Sequence, residues 1–169
     1  MTQKENNKNA KQIRFLAVQS AYAYAIHSSI NKSICAKTQQ IIIQNHPQSA
    51  QVTSLITFLV KNNAIVDQII GEHLANNWTI SRINMVTLAI LRVAVTEIIT
   101  KQIYTQSKMT NSYLSIAEIM LEKNEVNFIN AMISKITNNF TTQHNQPSAA
   151  SQQAHCRTSC IQPLNISHS

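Results

Sequence analysis

The sequence predicts an all-α protein, in which shorter helices surround one buried central helix. A single glycine and three prolines among 169 residues leave few of the turns that a β-sandwich or an α/β fold requires. Hydrophobic residues recur at helical spacing through most of the chain. One stretch, Ile83 to Ile99, is hydrophobic on nearly every side, which is typical of a helix enclosed by other helices.

The segment from Trp78 to Lys101 contains this central helix. Two charged residues, Arg92 and Glu97, interrupt a run that is also too short to cross a bilayer, so the sequence excludes a membrane span. Ser81 is the expected N-cap of the helix. Trp78 is interpreted as a core residue packed at the start of the helix rather than as a stacking platform.

The two charges of the central helix are expected to be structural. Arg92 and Glu97 do not face each other on one helix, and a charge in a hydrophobic environment requires a partner. We therefore expect each to be paired across the bundle, with Asn111 and Asn130 as the candidate partners.

The other helices follow from the same periodicity. We predict helices at about residues 11–27, 36–45, 50–74, 110–123 and 125–140. Asn62 and Asn63 mark a candidate break within the third of these, and Thr110 or Asn111 is the expected N-cap of the fourth. The periodicity stops after residue 140. The sequence thus predicts a folded domain at residues 1–140 and a disordered polar tail at 141–169.

No pattern of residues indicates an enzyme. The sequence contains no G-x-S-x-G, no Gly-rich phosphate loop and no H-E-x-x-H, so no catalytic residues and no cofactor are predicted. His155, Cys156 and Cys160 lie close together in the tail. A structural zinc site needs four ligands, usually at closer spacing, so no metal site is predicted there.

Composition favours an intracellular protein with a polyanionic partner. The formal net charge is +7 and the pI is about 9.5, which favours nucleic acid before a membrane surface. The N-terminus is polar and has no signal-peptide core. Three scattered cysteines fit a reducing compartment. We therefore predict a cytoplasmic protein.

Three blocks of sequence are more specific than periodicity. The first is R-F-L-A-V-Q-S-A-Y at 14–22, and the second is N-W-T-I-S-R-I at 77–83 followed by A-I-L-R-V-A at 89–94. The third is N-S-Y-L-S-I-A at 111–117, followed by F-I-N-A-M-I-S-K-I at 128–136. In this order and at this separation they resemble the signatures of the NusB family of bacterial transcription antitermination factors.

The resemblance implies a bundle of about six to seven helices in two small subdomains. It also implies a function without catalysis. Such a protein binds boxA RNA of ribosomal RNA leader transcripts together with NusE, a small-subunit ribosomal protein, in the RNA polymerase antitermination complex.

The same resemblance suggests which residues bind. Cationic side chains are expected to contact phosphates, and amides and aromatic rings to contact bases. The expected RNA-binding residues are Lys4, Lys8, Lys11, Arg14, Gln19, Phe128 and Asn130. The expected partner-binding residues are Phe15, Tyr22 and Thr87. The arginine cluster usual at the N-terminus of the family is reduced here to spaced lysines and Arg14, and lysine lacks the planar fork that grips phosphate.

Two alternatives remain open at this level. A NusB-like domain also occurs in ribosomal RNA methyltransferases, and a truncated enzyme of that kind would lack its Gly-rich cofactor domain. The second alternative is a helical module that does not bind RNA and forms a homodimer through the side chains from Phe15 to Tyr22 on one face of the first helix.

Overall fold

The computed structural model describes residues 3–27, 46–47, 49–101 and 106–144. Within these ranges the chain forms helices and no strand, which confirms the all-α prediction. The elements are α1 (Gln3–His27), α2 (Ser49–Lys61), α3 (Asn63–His73), a 3-10 turn (Ile80–Arg82), α4 (Met85–Lys101), α5 (Gln106–Met120) and α6 (Lys123–His144). The helix predicted at 36–45 and the tail after residue 144 lie outside the described residues.

Helix α4 is the buried centre of the bundle, as predicted. It contacts α1, α2, α3, α5 and α6, and its residues from Leu88 to Leu91 and from Val93 to Ile98 are all buried. Helices α1 and α2 pack together, as do α5 and α6, and α4 packs against both pairs. The two groups therefore share one continuous hydrophobic core. No helix in the described part of the chain is long and apolar enough to cross a membrane.

The helix limits differ from the predicted ones mainly at their ends. Helix α1 begins at Gln3 rather than near residue 11, and α6 continues to His144 past the predicted limit at 140. The break at Asn62 is confirmed. There the Asn62 side-chain amide donates to the backbone oxygen of Phe58 at 2.9 Å, so the asparagine ends α2 by bonding its last turn.

Both predicted N-caps are wrong. Ser81 lies within the 3-10 turn, and the cap of α4 is Asn84, whose Oδ1 accepts the backbone N–H of Val86 at 2.9 Å. Helix α5 already begins at Gln106, so Thr110 and Asn111 lie inside it. In both places several neighbouring polar residues are able to cap a helix. The N-cap is the one that lies where the chain enters the bundle.

Candidate nucleic-acid interface

The buried charge of the central helix is Glu97, and its partners come from α1 and α5. Arg14 donates through Nε to Glu97 Oε2 and through Nη2 to Oε1, both at 2.8 Å. The Tyr113 hydroxyl donates to Glu97 Oε2 at 2.8 Å, and the Arg14 guanidinium carbon lies 5.6 Å from the centre of the Tyr113 ring. Three helices are thus joined by one buried polar cluster.

Protonation in this cluster is controlled by burial and by the charge of Glu97. Burial alone would lower the pKa of Arg14, but its hydrogen bonds and ion pair with Glu97 outweigh that effect and raise the pKa. Burial raises the pKa of Tyr113 well above its usual range, and the neighbouring Glu97 carboxylate raises it further. The arrangement therefore holds a charged arginine, a charged glutamate and a neutral tyrosine together.

Arg14, a predicted contact for RNA phosphates, is engaged inside this cluster, and its role in RNA binding stays a prediction. The Arg14 side chain is only 12% exposed and its planar fork is engaged by the Glu97 carboxylate, which is 1% exposed. A carboxylate that deeply buried requires a cationic partner, and Arg14 supplies it. Asn111 and Asn130, the partners expected for the charges of the central helix, do not have that role.

The second charge of α4 is paired with α3. Arg92 donates through Nε and Nη2 to the two carboxylate oxygens of Asp67, each at 2.8 Å. The side chains are 15% and 23% exposed, so this pair lies nearer the surface than the pair of Arg14 with Glu97. The structural role predicted for Arg92 and Glu97 agrees with both pairs.

The exposed cations that the sequence analysis singled out lie at the start of α1. Lys8 and Lys11 are exposed, whereas burial along α1 is concentrated between Leu16 and Ala23. The first turns of α1 therefore present these lysines to solvent, free of the ion pair that holds Arg14. Gln19 is partly buried, and the side chain of Lys4 lies outside the described residues.

An exposed aromatic cluster forms where the segment before α4 meets the start of α6. The rings of Trp78 and Phe128 stack with centroids 5.9 Å apart and planes 28° from parallel. The Arg82 guanidinium carbon lies 5.8 Å from the centre of the Trp78 ring, and its Nη1 donates to the backbone oxygen of Asn77 at 3.4 Å. Trp78 is 45% exposed, so the prediction that it is a core residue is wrong. The hydrophobic position in this segment is occupied instead by Ile83, which is buried.

A cavity of about 370 Å³ opens beside this cluster. Its wall combines aromatic rings, amides, one cation and one carboxylate, a composition typical of ligand sites. The lining residues are Trp78, Arg82, Ile83, Asn84, Thr87, Asn124, Glu125 and Phe128. Sequence analysis selected Phe128 but missed Trp78 and Arg82. The pattern that could have indicated them is their spacing. Trp78 and Arg82 are four positions apart, so a turn of the chain between them brings the cation close to the ring.

Thr87, the residue of α4 that was expected to bind a protein partner, is buried, and that role stays a prediction. Thr87 is 2% exposed, and its hydroxyl donates to Glu125 Oε1 at 3.1 Å, which joins α4 to α6. Phe15 and Tyr22 are partly buried against the core, and Asn130 is exposed. The binding roles of these three residues stay predictions.

The Arg14 cluster and the aromatic cluster meet the central helix at different positions. Arg14 meets α4 at Glu97, whereas the cluster meets it at Thr87, and these positions lie about 15 Å apart along the helix axis. Within the described residues no group of His, Cys, Asp or Glu side chains could hold a metal ion. His155, Cys156 and Cys160 lie outside that part of the chain.

The fold and these sites define an all-helical bundle protein with exposed lysines on α1 and an exposed aromatic cluster before α4. A family model described as the NusB family matches residues 11–138. The chain therefore belongs to the NusB family.

Individual relatives are distant. The chain is 25% identical over 123 residues to the transcription antitermination protein NusB of Oceanobacillus iheyensis, covering 73% of this chain and 97% of that protein. It is 25% identical over 150 residues to NusB of Rickettsia rickettsii, covering 80% of this chain and 96% of that protein. For NusB of Bartonella quintana the identity is 29% over 83 residues, which cover 49% of this chain and about half, 53%, of that protein.

Solved structures share the fold. NusB of T. maritima superposes with a TM-score of 0.65 at 16% sequence identity, covering 76% of this chain and 89% of that one. A structure of antitermination factors NusB and NusE in complex with double-stranded RNA gives a TM-score of 0.66 at 19% identity, covering 78% and 98%.

Proposed function

We propose that this protein is a transcription antitermination factor that binds boxA RNA of ribosomal RNA leader transcripts together with NusE, in the cytoplasm. The observation that carries the proposal is the family match over residues 11–138, which spans nearly all of the described bundle. The similar NusB and NusE structure was determined with RNA, which supports the same two partners for this chain. The protein would act by assembling RNA and protein, without catalysis.

The exposed lysines of α1 suit the electrostatic part of RNA binding. Lys8 and Lys11 are exposed, and cations of this kind attract phosphates without reading sequence. The net charge of +7 acts in the same direction by steering a polyanion to the protein. Because Arg14 is paired with Glu97, the exposed cations that α1 contributes to this proposal are Lys8 and Lys11.

Sequence preference would come from the amides and rings. Unpaired RNA is usually read by stacking and by hydrogen bonds to base edges. In this proposal the amides of Asn130, exposed on α6, and of Gln19, partly buried on α1, contribute hydrogen bonds. Phe128, which borders the cavity at the start of α6, contributes a ring.

The decisive experiment is a titration of fluorescently labelled single-stranded boxA RNA with the full chain, at two stated salt concentrations. The titration is repeated in the presence of NusE and with an RNA of scrambled sequence. We expect tighter binding to boxA than to the scrambled RNA, and tighter binding again with NusE. Equal affinity for both RNAs and no effect of NusE would reject the proposal.

Light scattering of the same samples tests the alternative of a protein-only module. That alternative requires a dimer that forms as protein concentration rises and is unchanged by RNA. A monomer that joins RNA and NusE in one complex would instead support antitermination.

A further inference from the structure

We propose that Trp78, Phe128 and Arg82 form a stacking site for one unpaired base of the bound RNA, with Arg82 contacting the adjoining phosphate. The inference rests on the proposed function, because it assumes that RNA is the ligand. It adds to that function a contact surface beside the lysines' contribution, and it assigns roles to Trp78 and Arg82.

The first observation is the exposure of the tryptophan. Trp78 is 45% exposed although it is the largest hydrophobic side chain of the protein, and it stacks on Phe128 at 5.9 Å. A large aromatic surface that stays in solvent next to a cavity indicates a contact made with a partner. Aromatic rings on the surface stack with any of the bases, since every base has a π-face.

The second observation is the position of the cation. The guanidinium of Arg82 lies 5.8 Å from the centre of the Trp78 ring, and its hydrogen bond to Asn77 is long, at 3.4 Å. Arg82 is exposed, so this contact is weak and is easily exchanged. When a base takes the place of the guanidinium on the ring, the arginine moves to the neighbouring phosphate, with which it pairs through its planar fork.

The third observation is the polarity of the cavity wall. Glu125, the carboxylate in the wall, is anchored to Thr87, which is 2% exposed and so lies at the buried floor of the cavity. Arg82 lies at the exposed rim. This arrangement keeps phosphate at the rim and away from the carboxylate, while the exposed amide of Asn124 remains available to the edge of the base.

The lining of the cavity suits a nucleotide. Most of its accessible wall is apolar, which suits the flat face of a base, and Arg82 and Asn124 add a cation for a phosphate and an amide for the edge of the base. A volume of about 370 Å³ lies within the range of about 300 to 1,000 Å³ that is typical of small-molecule sites.

The test uses the fact that Trp78 is the single tryptophan of the chain. Its fluorescence therefore reports directly on this cluster. Unlabelled boxA RNA is titrated into the full chain while the intrinsic fluorescence is recorded, and the same titration is followed by anisotropy of labelled RNA. We expect the fluorescence to be quenched in proportion to the RNA bound.

Variants then separate stacking from packing. Trp78→Leu should weaken RNA binding by about tenfold, because loss of base–aromatic stacking has an effect of this order. Trp78→Phe, which keeps a ring, should retain most of the affinity. Arg82→Gln should lower the salt slope by about 0.7, as expected for one lost phosphate contact on a single strand. Ile119→Ala is the matched control, since Ile119 is 72% exposed and lies outside the cavity wall.

The outcomes are distinguishable. RNA that binds without quenching Trp78, and with equal affinity for Trp78→Leu and wild type, would overturn the stacking site and leave the antitermination proposal intact. Quenching by NusE alone, but not by RNA, would assign the cluster to the protein partner and also overturn it. No binding of boxA RNA with or without NusE would reject both. Because the fluorescence titration uses the wild-type chain, the test does not depend on the folding of any variant.

Discussion

Arg14 and Glu97 are 83 residues apart in the sequence, yet two hydrogen bonds of 2.8 Å join them inside the bundle. The pair connects the first helix to the central one. The other arginine of the central region, Arg92, makes the same bidentate contact with Asp67 nearer the surface. These two ion pairs have the same bidentate geometry and unequal burial, which makes them controls for each other.

We expect Arg14→Ala to lower the free energy of unfolding by about 3 to 5 kcal/mol, because it removes the guanidinium that makes two hydrogen bonds to the buried Glu97 carboxylate. Arg92→Ala should cost about 1 kcal/mol or less, since Asp67 is 23% exposed and water can solvate it. Urea unfolding at neutral pH measures both. Equal losses of unfolding free energy for Arg14→Ala and Arg92→Ala would contradict the expectation that the more buried pair stabilises the fold more. Adding Glu97→Gln to Arg14→Ala should recover part of the lost stability, because it removes the buried negative charge.

Tyr113→Phe should lower the free energy of unfolding by an amount that depends on pH. Below about pH 10, the variant loses a hydrogen bond to a charged group and should be less stable by about 1.5 to 3 kcal/mol. The pKa of Tyr113 is raised in the folded protein, so the unfolded chain loses this proton first as the pH rises. The stability that Tyr113 contributes is therefore fully present below the pKa of tyrosine in the unfolded chain. It is lost as the pH rises toward the higher pKa of Tyr113 in the folded protein.

The measurement for Tyr113 is the free energy of unfolding of both proteins at pH 8 and at several values above about pH 10. The difference in free energy of unfolding between the wild type and Tyr113→Phe should decrease as the pH rises. A difference that stays constant over this range would show that Tyr113 is not held neutral by its surroundings.

Leu91→Ala should lower the free energy of unfolding by about 2 to 5 kcal/mol, because it creates a cavity in the buried face of α4. Leu91 is 0% exposed. Ile65→Ala, at a side chain that is 54% exposed, provides a control of similar chemistry and should have little effect. Thermal unfolding monitored by circular dichroism compares the two. A similar small change for both would be inconsistent with α4 as the centre of the core.

Lys8→Ala combined with Lys11→Ala should weaken RNA binding without changing stability. Each lysine is exposed, and each lost phosphate contact should reduce the slope of log affinity against log salt by about 0.7. Lys61→Ala removes an equal charge from the end of α2 and is the matched control. The slopes come from RNA titrations over a series of salt concentrations. A loss of slope as large for Lys61→Ala as for the paired change would mean that overall charge, and not this surface, determines binding.

The sequence was most informative where the physical signal is repeated along the chain. The nearly uniform hydrophobicity of Ile83 to Ile99 predicted a buried helix, and the buried residues of α4 agree with it. The paired asparagines at Asn62 predicted the break between α2 and α3, because a local side chain to backbone bond suffices to end a helix.

Sequence analysis was least informative where a single residue has a choice of environments. Arg14 and Trp78 are the clearest cases, since a cation near the N-terminus suggested RNA and a tryptophan at a helix start suggested the core. In the structure Trp78 is 45% exposed, so the core prediction is wrong, and Arg14 has a buried partner in Glu97. The partner of each lies on a distant segment, and no local pattern identifies it.

The sequence alone determined the helical class, the central helix and the NusB resemblance, because periodicity and motif spacing are properties of the chain itself. The tertiary structure decided which charges are paired, which rings are exposed and which caps are used. Those properties depend on residues tens of positions apart that meet only when the helices pack. Burial and proximity then determine whether a side chain stabilises the fold or is free to bind.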